Sequence, residues 1–188
     1  MAAPRSLARA ACSVLLPLLA LIAAVAAAPV SAEQPCLKLV FNQYCLGGDI
    51  NVLAQQSPPA LRDQDGDRSA LIYFEGGEKI YVLAWRGRIY KVLRRYPVAS
   101  QLRYEEIYQL LRDKYGNGED HSYFPDHART PGLKQIAIRR GEGQAIHVWP
   151  LTEGWHIELS WTRELGLAVA YIADEIERQQ AKAFQSGY

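Results

Sequence analysis

The distribution of apolar residues predicts an antiparallel meander in the middle of the chain. Three segments there are rich in β-branched and aromatic residues, which favour strands. Turns at Gly76-Gly77 and Arg86-Gly87 separate these segments, which are Ala70–Phe74, Lys79–Trp85 and Arg88–Tyr96. In the second segment both sets of alternating positions are apolar. Such a strand is expected to be central in a sheet and covered on both sides.

A helix is predicted directly after the meander, over residues 102–115. Ile107, Leu110 and Leu111 recur at helical spacing and form its expected buried stripe. Gly116 suits the left-handed conformation that commonly follows the last turn of a helix. This is the best-defined helix that the sequence indicates.

The segment 36–56 is predicted to be helical. Four apolar residues between positions 37 and 44 recur at helical spacing, and Gly47-Gly48 interrupts the pattern before a short turn that Asp49 can cap. Ser57-Pro58-Pro59 ends the segment, because proline cannot continue helical hydrogen bonding. Residues 57–69 are expected to form a polar loop.

Three further strands are predicted in the C-terminal third. A long loop over 117–133 precedes strand-like segments at Gln135–Arg139, Ala145–Trp149 and Trp155–Trp161. The last segment alternates cleanly between apolar and polar residues. One of its faces should therefore lie in the core and the other in water.

Residues 165–184 are compatible with two structures. Apolar residues at helical spacing allow one long helix, whereas Gly166 and the run Leu167–Tyr171 favour a strand that pairs with the preceding one. We adopt the strand, followed by a helix from about Asp174 to Phe184. The whole pattern predicts an α+β domain, a mostly antiparallel sheet with one well-defined central helix, an N-terminal helical segment and a C-terminal helix.

The first 32 residues have the features of a secretory signal peptide. Arg5 and Arg9 precede a short apolar stretch, and small residues suited to a signal peptidase end it. A membrane-spanning helix needs about 20 apolar residues, and Pro17 interrupts this shorter stretch. We therefore expect residues 1–32 to be removed. Residues 33–188 should then form a single globular domain, periplasmic or secreted, with no transmembrane segment after cleavage.

Charge and cysteine content agree with this interpretation. The two arginines of the leader are lost on cleavage, so 21 basic residues become 19 against 20 acidic ones. A nucleic-acid-binding protein would usually carry a large basic excess. Cys36 and Cys45 are the two cysteines after residue 32, and an oxidising compartment favours a structural disulfide between them. Two free thiols are the alternative, and a continuous helix through both would keep them out of bonding distance.

Candidate catalytic and metal-binding residues are scattered. His121, His127 and His147 could be zinc or copper ligands, but their spacing matches no compact metal motif. Ser122 could be a nucleophile beside His121, yet no G-x-S-x-G turn positions it. The acidic run at 63–67 lacks the glycine and glutamate positions of an EF-hand and is expected to be an exposed turn. No cofactor is predicted.

The third strand of the meander carries the largest local excess of charge. Five basic residues occur there without an acid, interleaved with apolar residues; together with Tyr90 they are Arg86, Arg88, Lys91, Arg94 and Arg95. Cations and aromatic rings on a sheet can bind an anionic polymer through charge and stacking. A solvated strand face whose arginines pair with nearby acids is the alternative.

The sequence therefore predicts an exported, non-enzymatic binding or accessory module. Its expected partner is a protein or an anionic envelope component, with the basic strand as the contact. A metal-dependent hydrolase that uses the loop histidines is one alternative. An inhibitor or chaperone of a secreted enzyme is another.

Overall fold

The structure, a computed structural model, describes residues 36–151 and 153–186. The expected signal peptide, residues 1–32, lies outside the described residues. The described chain is α+β with a mostly antiparallel sheet, which confirms the predicted fold class.

The strands described are β1 (Lys38–Val40), β2 (Tyr44–Leu46), β3 (Leu61–Asp65), β4 (Arg68–Glu75), β5 (Glu78–Trp85), β6 (Arg88–Arg95), β7 (Glu119–Asp120), β8 (Ala145–Pro150), β9 (Trp155–Thr162) and β10 (Gly166–Ala173). The helices described are α1 (Ile50–Gln56), α2 (Gln101–Tyr115), α3 (Pro131–Arg140) and α4 (Asp174–Ser186).

Eight of these strands form one antiparallel sheet in the order β3-β4-β5-β6-β10-β9-β8-β7, and β1 and β2 form a separate hairpin. The meander β3–β6 meets a second meander, β8–β10, where β6 pairs with β10. The central helix α2 follows the first meander, and α4 follows the second. The predicted meander over residues 70–96 is confirmed.

One side of the large sheet, which we call the inner face, carries most of the core. Its almost fully buried residues include Leu71, Ile80, Val82, Leu159 and Val169. The β1–β2 hairpin and α2 pack on this side: the ring of Tyr44 lies 5.3 Å from that of Tyr73, and the ring of Tyr104 lies 6.2 Å from that of Trp161. We call the opposite side of the sheet the outer face.

Strand β5 is interior in the sheet, as predicted, but it is not covered equally on both sides. Ile80, Val82 and Ala84 point to the inner face and are fully buried. Tyr81 and Leu83 point to the outer face and are only half-buried. The outer face over β3–β6 therefore remains partly accessible.

The predicted N-terminal helical segment is wrong over residues 36–47, where the chain forms the β1–β2 hairpin. Phe41 and Asn42 have φ values of 49° and 60°, the left-handed conformation that reverses the chain in a tight turn. Cys36 and Cys45 are disulfide-bonded across the hairpin, with their Cα atoms 5.4 Å apart. This bond is incompatible with a continuous helix, so the apolar spacing was misleading. The short helix capped by Asp49 is present as α1.

The predicted polar loop at 57–69 contains an edge strand. β3 pairs with β4, and all of its residues are exposed. Two carboxylates of the acidic run pair with arginines: Asp65 lies 2.6 Å from Arg68, and Asp67 lies 2.8 Å from Arg86. The strand was missed because its residues are mostly polar and give no apolar alternation. It is held in the sheet by its pairing with β4 and not by burial.

The central helix is confirmed, but its buried stripe differs from the prediction. α2 begins after Ser100, whose side chain accepts a hydrogen bond from the backbone of Arg103, and ends at Gly116. Tyr104, Ile107 and Leu111 face the core, whereas Leu110 is 65% exposed. The buried face includes Tyr104, a residue that the count of apolar positions left out of the stripe.

The strand predicted at Gln135–Arg139 is wrong, because these residues lie in α3. Thr130 caps this helix, Pro131 occupies its first turn, and Gly141 closes it with a left-handed φ of 75°. Each of the three residues is favoured at its observed position. The end signals of the helix were stronger evidence than its short β-branched run.

The predicted C-terminal strands and helix are confirmed, but the second face of β9 does not lie wholly in water, because Ser160 is buried. β9 buries Trp155, Ile157, Leu159 and Trp161 on the inner face, and β10 pairs with β9 as a hairpin before α4 begins. Within the described residues, no helix has both the length and the apolar character needed to cross a bilayer.

Candidate functional site

Strand β6 distributes the predicted basic residues over both faces of the sheet. The pairing of β5 with β6 shifts between Leu83 and Ala84, so Tyr90 is an extra residue in β6, a β-bulge. Beyond the bulge, Lys91 and Arg95 point to the outer face. Arg94 points to the inner face.

The outer face brings together cations and apolar residues of β5 and β6. Across these strands Lys79 pairs with Arg95, Tyr81 with Leu93, and Leu83 with Lys91. Lys79, Tyr81 and Lys91 are half-buried. We call these six residues the basic face: Lys79, Tyr81, Leu83, Lys91, Leu93 and Arg95.

The cations of the basic face have few partners within the described chain. The side chains of Lys91 and Arg95 form no hydrogen bond or ion pair with any described residue. The Lys79 ammonium lies 5.5 Å from the ring centre of Phe74, which is 54% exposed. Lys79 is therefore held beside an exposed aromatic ring, and none of the three cations has an ion pair with a described acid.

Arg94 is bound within the fold. Its guanidinium lies 3.3 Å from a carboxylate oxygen of Glu75 and 3.4 Å from one of Glu78, and it stacks 3.9 Å above the ring of Phe41. The hydroxyl of Tyr44 donates to the same Glu75. These contacts hold Arg94 on the inner face, on the side of the sheet opposite the basic face.

The other predicted contact residues lie at the start of β6. Arg86 pairs with Asp67 and stacks on Trp85 at 4.4 Å. Arg88 is exposed and lies 3.5 Å from the backbone oxygen of Gly47. Tyr90 is half-buried, and burial raises the pKa of its hydroxyl, an effect that the nearby carboxylate of Glu177 increases.

Small residues lie next to the basic face on β10 and β9. Arg95 pairs with Ala168, and Ala168 pairs with Ser160, so these three side chains form one row across the outer face. Ala168 and Ser160 are 0% and 2% exposed. The hydroxyl of Ser160 is buried without a hydrogen-bond partner in the described part of the chain.

His147 lies apart from this row, between the inner face and α2. Its Nδ1 atom is 2.7 Å from the hydroxyl of Tyr104, and its Nε2 atom is 4.0 Å from a carboxylate oxygen of Asp120. Burial lowers the pKa of His147, although the carboxylate of Asp120 acts in the opposite direction. Burial also raises the pKa of Tyr104. The neutral imidazole can thus accept the hydrogen bond that Tyr104 donates.

The candidate metal ligands do not converge. His121 contacts Glu119 at 3.2 Å, and His127 contacts Glu142 at 3.8 Å, whereas His147 is held by Tyr104. Residues 36–151 and 153–186 contain no group of three or more histidines, cysteines or acids arranged to hold a metal ion. The hydroxyl of Ser122 accepts a hydrogen bond from the backbone of Ile146 at 3.0 Å, so it is engaged in the β8 edge.

Sequence reasoning missed two residues of the site. Lys79 begins the second strand, and its register with Arg95 depends on the bulge at Tyr90. Ser160 has the outward position of an alternating strand and was expected to face water. A signal for Ser160 existed in the small residues of β10, Ala168 and Ala170, which lie beside it in the sheet.

Comparisons with known proteins give no functional assignment. No family model matches the chain, and no curated protein is significantly similar to it. A crystal structure of a cysteine-rich secretory protein from Staphylococcus aureus is similar over 77% of this chain, with 11% identity and a TM-score of 0.39. The match spans 49% of that chain, so this protein corresponds to about half of its length.

Proposed function

We propose that this protein is an exported, non-enzymatic binding module whose basic face contacts an anionic partner in the cell envelope. The leader-like first 32 residues support export. The disulfide between Cys36 and Cys45 supports it as well, because such bonds persist in oxidising compartments.

The observation that carries the proposal is the lack of described acidic partners for Lys79, Lys91 and Arg95. Two exposed cations beside this face, Arg68 and Arg86, are matched by the carboxylates of Asp65 and Asp67. The three cations of the basic face are not matched by any described acid. They flank the half-buried Tyr81 and Leu83, so a partner could gain both charge pairing and apolar contact.

The test is retention of an envelope extract by the immobilised protein. In the double variant Lys91→Glu/Arg95→Glu the basic face becomes acidic while the inner-face core is untouched. We expect retention to fall at least tenfold, because the reversed charges repel an anionic partner. Retention by the unaltered protein should also fall as salt is raised, since these charges are partly solvated.

The control is the double variant Arg139→Glu/Arg140→Glu. It changes the net charge by the same amount on exposed residues at the end of α3. Its retention should stay within twofold of the unaltered protein. Equal losses in both double variants would show a general charge effect and would refute the basic face as the contact.

A further inference from the structure

The basic face continues toward the edge of the sheet as an exposed apolar surface. Leu61 on β3 pairs with Ile72 on β4, and Ile72 pairs with Tyr81 of the basic face. Phe74 lies two residues after Ile72 and pairs with Lys79. Leu61 and Phe74 are 58% and 54% exposed. We call Leu61, Ile72 and Phe74 the apolar edge, which extends the basic face without a break.

The apolar and charged side chains lie in two neighbouring rows across the outer face. The first row contains Leu61, Ile72, Tyr81 and Leu93, and the second contains Phe74, Lys79 and Arg95. Such rows are about 7 Å apart, because residues of one strand that share a face are two positions apart. The Lys79 ammonium lies 5.5 Å from the centre of the Phe74 ring. A partner therefore meets positive charge and apolar surface within a short distance.

Two acids lie toward the far ends of rows that the basic face occupies. Asp63 on β3 is two strands from Leu83, and Glu158 on β9 is two strands from Leu93. Two strand spacings come to about 10 Å. This exceeds the Debye length of about 8 Å at physiological ionic strength, beyond which exposed charges are largely screened. The surface between the two acids therefore remains positively charged.

This combination of charge and apolar exposure fits the surface of an anionic bilayer. An acidic polysaccharide would pair with the cations, but it has no alkyl chains to contact Leu61 and Phe74. A bilayer with anionic lipids provides head-group phosphates for the cations and acyl chains for the apolar side chains. The stem of a lysine can contact apolar groups while its ammonium stays among the head groups. Aromatic residues such as Tyr81 and Phe74 are suited to this boundary.

We propose that the basic face and the apolar edge together bind the surface of an anionic phospholipid membrane. Lys79, Lys91 and Arg95 contact head-group phosphates, and Leu61 and Phe74 reach the boundary with the acyl chains. The inference rests on the proposed function, because it names the anionic envelope partner of the same surface. An acidic protein is the competing partner, and the experiment distinguishes the two.

The experiment measures sedimentation of the exported protein with vesicles of phosphatidylglycerol and phosphatidylcholine in equal parts, and with vesicles of phosphatidylcholine alone. The anionic vesicles should bind at least tenfold more tightly, since each cation close to an anionic surface strengthens binding about fivefold. Lys79→Gln/Arg95→Gln should weaken this binding at least tenfold. Arg139→Gln/Arg140→Gln removes the same charge from exposed residues at the end of α3 and should stay within twofold. All the proteins compared have the same amino terminus, so its contribution cancels.

A matched pair of leucine variants tests the apolar edge. Leu61→Ser should weaken binding to the anionic vesicles about fivefold, because the exposed part of the side chain loses its contact with acyl chains. Leu110 lies on α2 and is 65% exposed, and Leu110→Ser should change binding less than twofold. Urea unfolding of both variants controls for loss of the fold. Equal losses in the two leucine variants, or in the two double variants, would overturn the membrane surface.

Retention of a lipid-free envelope extract separates this inference from the proposed function. It is measured with the unaltered protein and with Lys91→Glu/Arg95→Glu. If anionic vesicles do not bind, but the lipid-free extract is retained and this double variant loses it, the membrane is refuted. The proposed function then stands, with an acidic protein or polysaccharide as the partner. Absence of both vesicle binding and retention would refute both.

Discussion

Arg94 and Arg95 are neighbours in the sequence but have opposite environments, because successive residues of a strand point to opposite faces. Arg94 is held between Glu75 and Glu78 and stacks on Phe41. Arg95 has no side-chain partner in the described chain. The structure therefore separates an arginine with acidic and aromatic partners from one that has none within the described chain.

Arg94→Gln should lower the free energy of unfolding by about 2 kcal/mol, because it leaves Glu75 without its cation and removes the contact with Phe41. Glu78 keeps the more distant Arg103, at 3.9 Å. The estimate is below that for a fully buried pair, since the Arg94 side chain is 25% exposed. Arg95→Gln should cost less than about 0.5 kcal/mol. Urea unfolding of both variants tests the difference, and equal costs would contradict the assignment of the two faces.

His147 should make the stability of the fold depend on pH. Its pKa in the folded protein lies below the ordinary value of 6.5, because burial among Tyr104, Tyr108 and Trp149 disfavours the charged imidazole. The unfolded chain then binds the proton more readily than the folded chain. The stability that neutral His147 contributes to the folded protein is fully present above pH 6.5. It is lost as the pH falls from 6.5 toward the lowered pKa.

The measurement is urea unfolding of the unaltered protein and of His147→Gln between pH 7.5 and 5. Glutamine can still accept the hydrogen bond from Tyr104, but it does not titrate. We expect the unaltered protein to lose more stability than the variant over this interval. Parallel pH profiles would show that His147 is not protonated differently in the folded and unfolded chains.

At the scale of elements, helices and strands were predicted best where the spacing of apolar residues and the residues that end the element indicated the same structure. The meander, α2 and the β9–β10 hairpin were of this kind. The errors fell on short segments whose form is set by other contacts. A disulfide and a left-handed turn define the β1–β2 hairpin, and capping residues define α3. Apolar spacing over five to ten residues does not contain this information.

The candidate site could be predicted only in part, because the bulge at Tyr90 changes which β6 residues share a face. A regular two-residue turn at Arg86-Gly87 would place Lys79 opposite Arg94. The observed pairing places it opposite Arg95. Both faces of β6 contain apolar residues, so the pattern could not choose between the two registers.

The bulge can be tested by deletion. Without Tyr90, Ile89 and Lys91 become neighbours and can keep their present partners on β5. Residues 91–95 then point to the same faces of the sheet as before. We expect this variant to fold, with a loss of about 1–2 kcal/mol for the contacts of one half-buried tyrosine. Removing Val92 instead would move the following residues to the opposite faces and should abolish cooperative thermal unfolding. Similar transitions in both variants would contradict the bulge.

At the scale of the molecule, the two faces of the sheet carry different kinds of residue, and we expect stability to depend on one and the proposed binding on the other. The inner face carries the large core, the hairpin and α2, whereas the outer face over β5 and β6 carries unpaired cations. The hairpin packs on inner-face residues, among them the rings of Tyr73 and Tyr171. A change in the hairpin should therefore act on the stability of the fold and not on the basic face.

Replacement of Cys36 and Cys45 by serine tests this division. The lost constraint on a short loop should lower the free energy of unfolding by about 2–3 kcal/mol. Retention of the envelope extract, measured where the variant is still folded, should remain within twofold of that of the unaltered protein. Dithiothreitol should reproduce the loss of stability in the unaltered protein and leave the serine variant unchanged. A large loss of retention in the folded serine variant would show that the hairpin and the basic face are coupled, against the independence that the sheet geometry indicates.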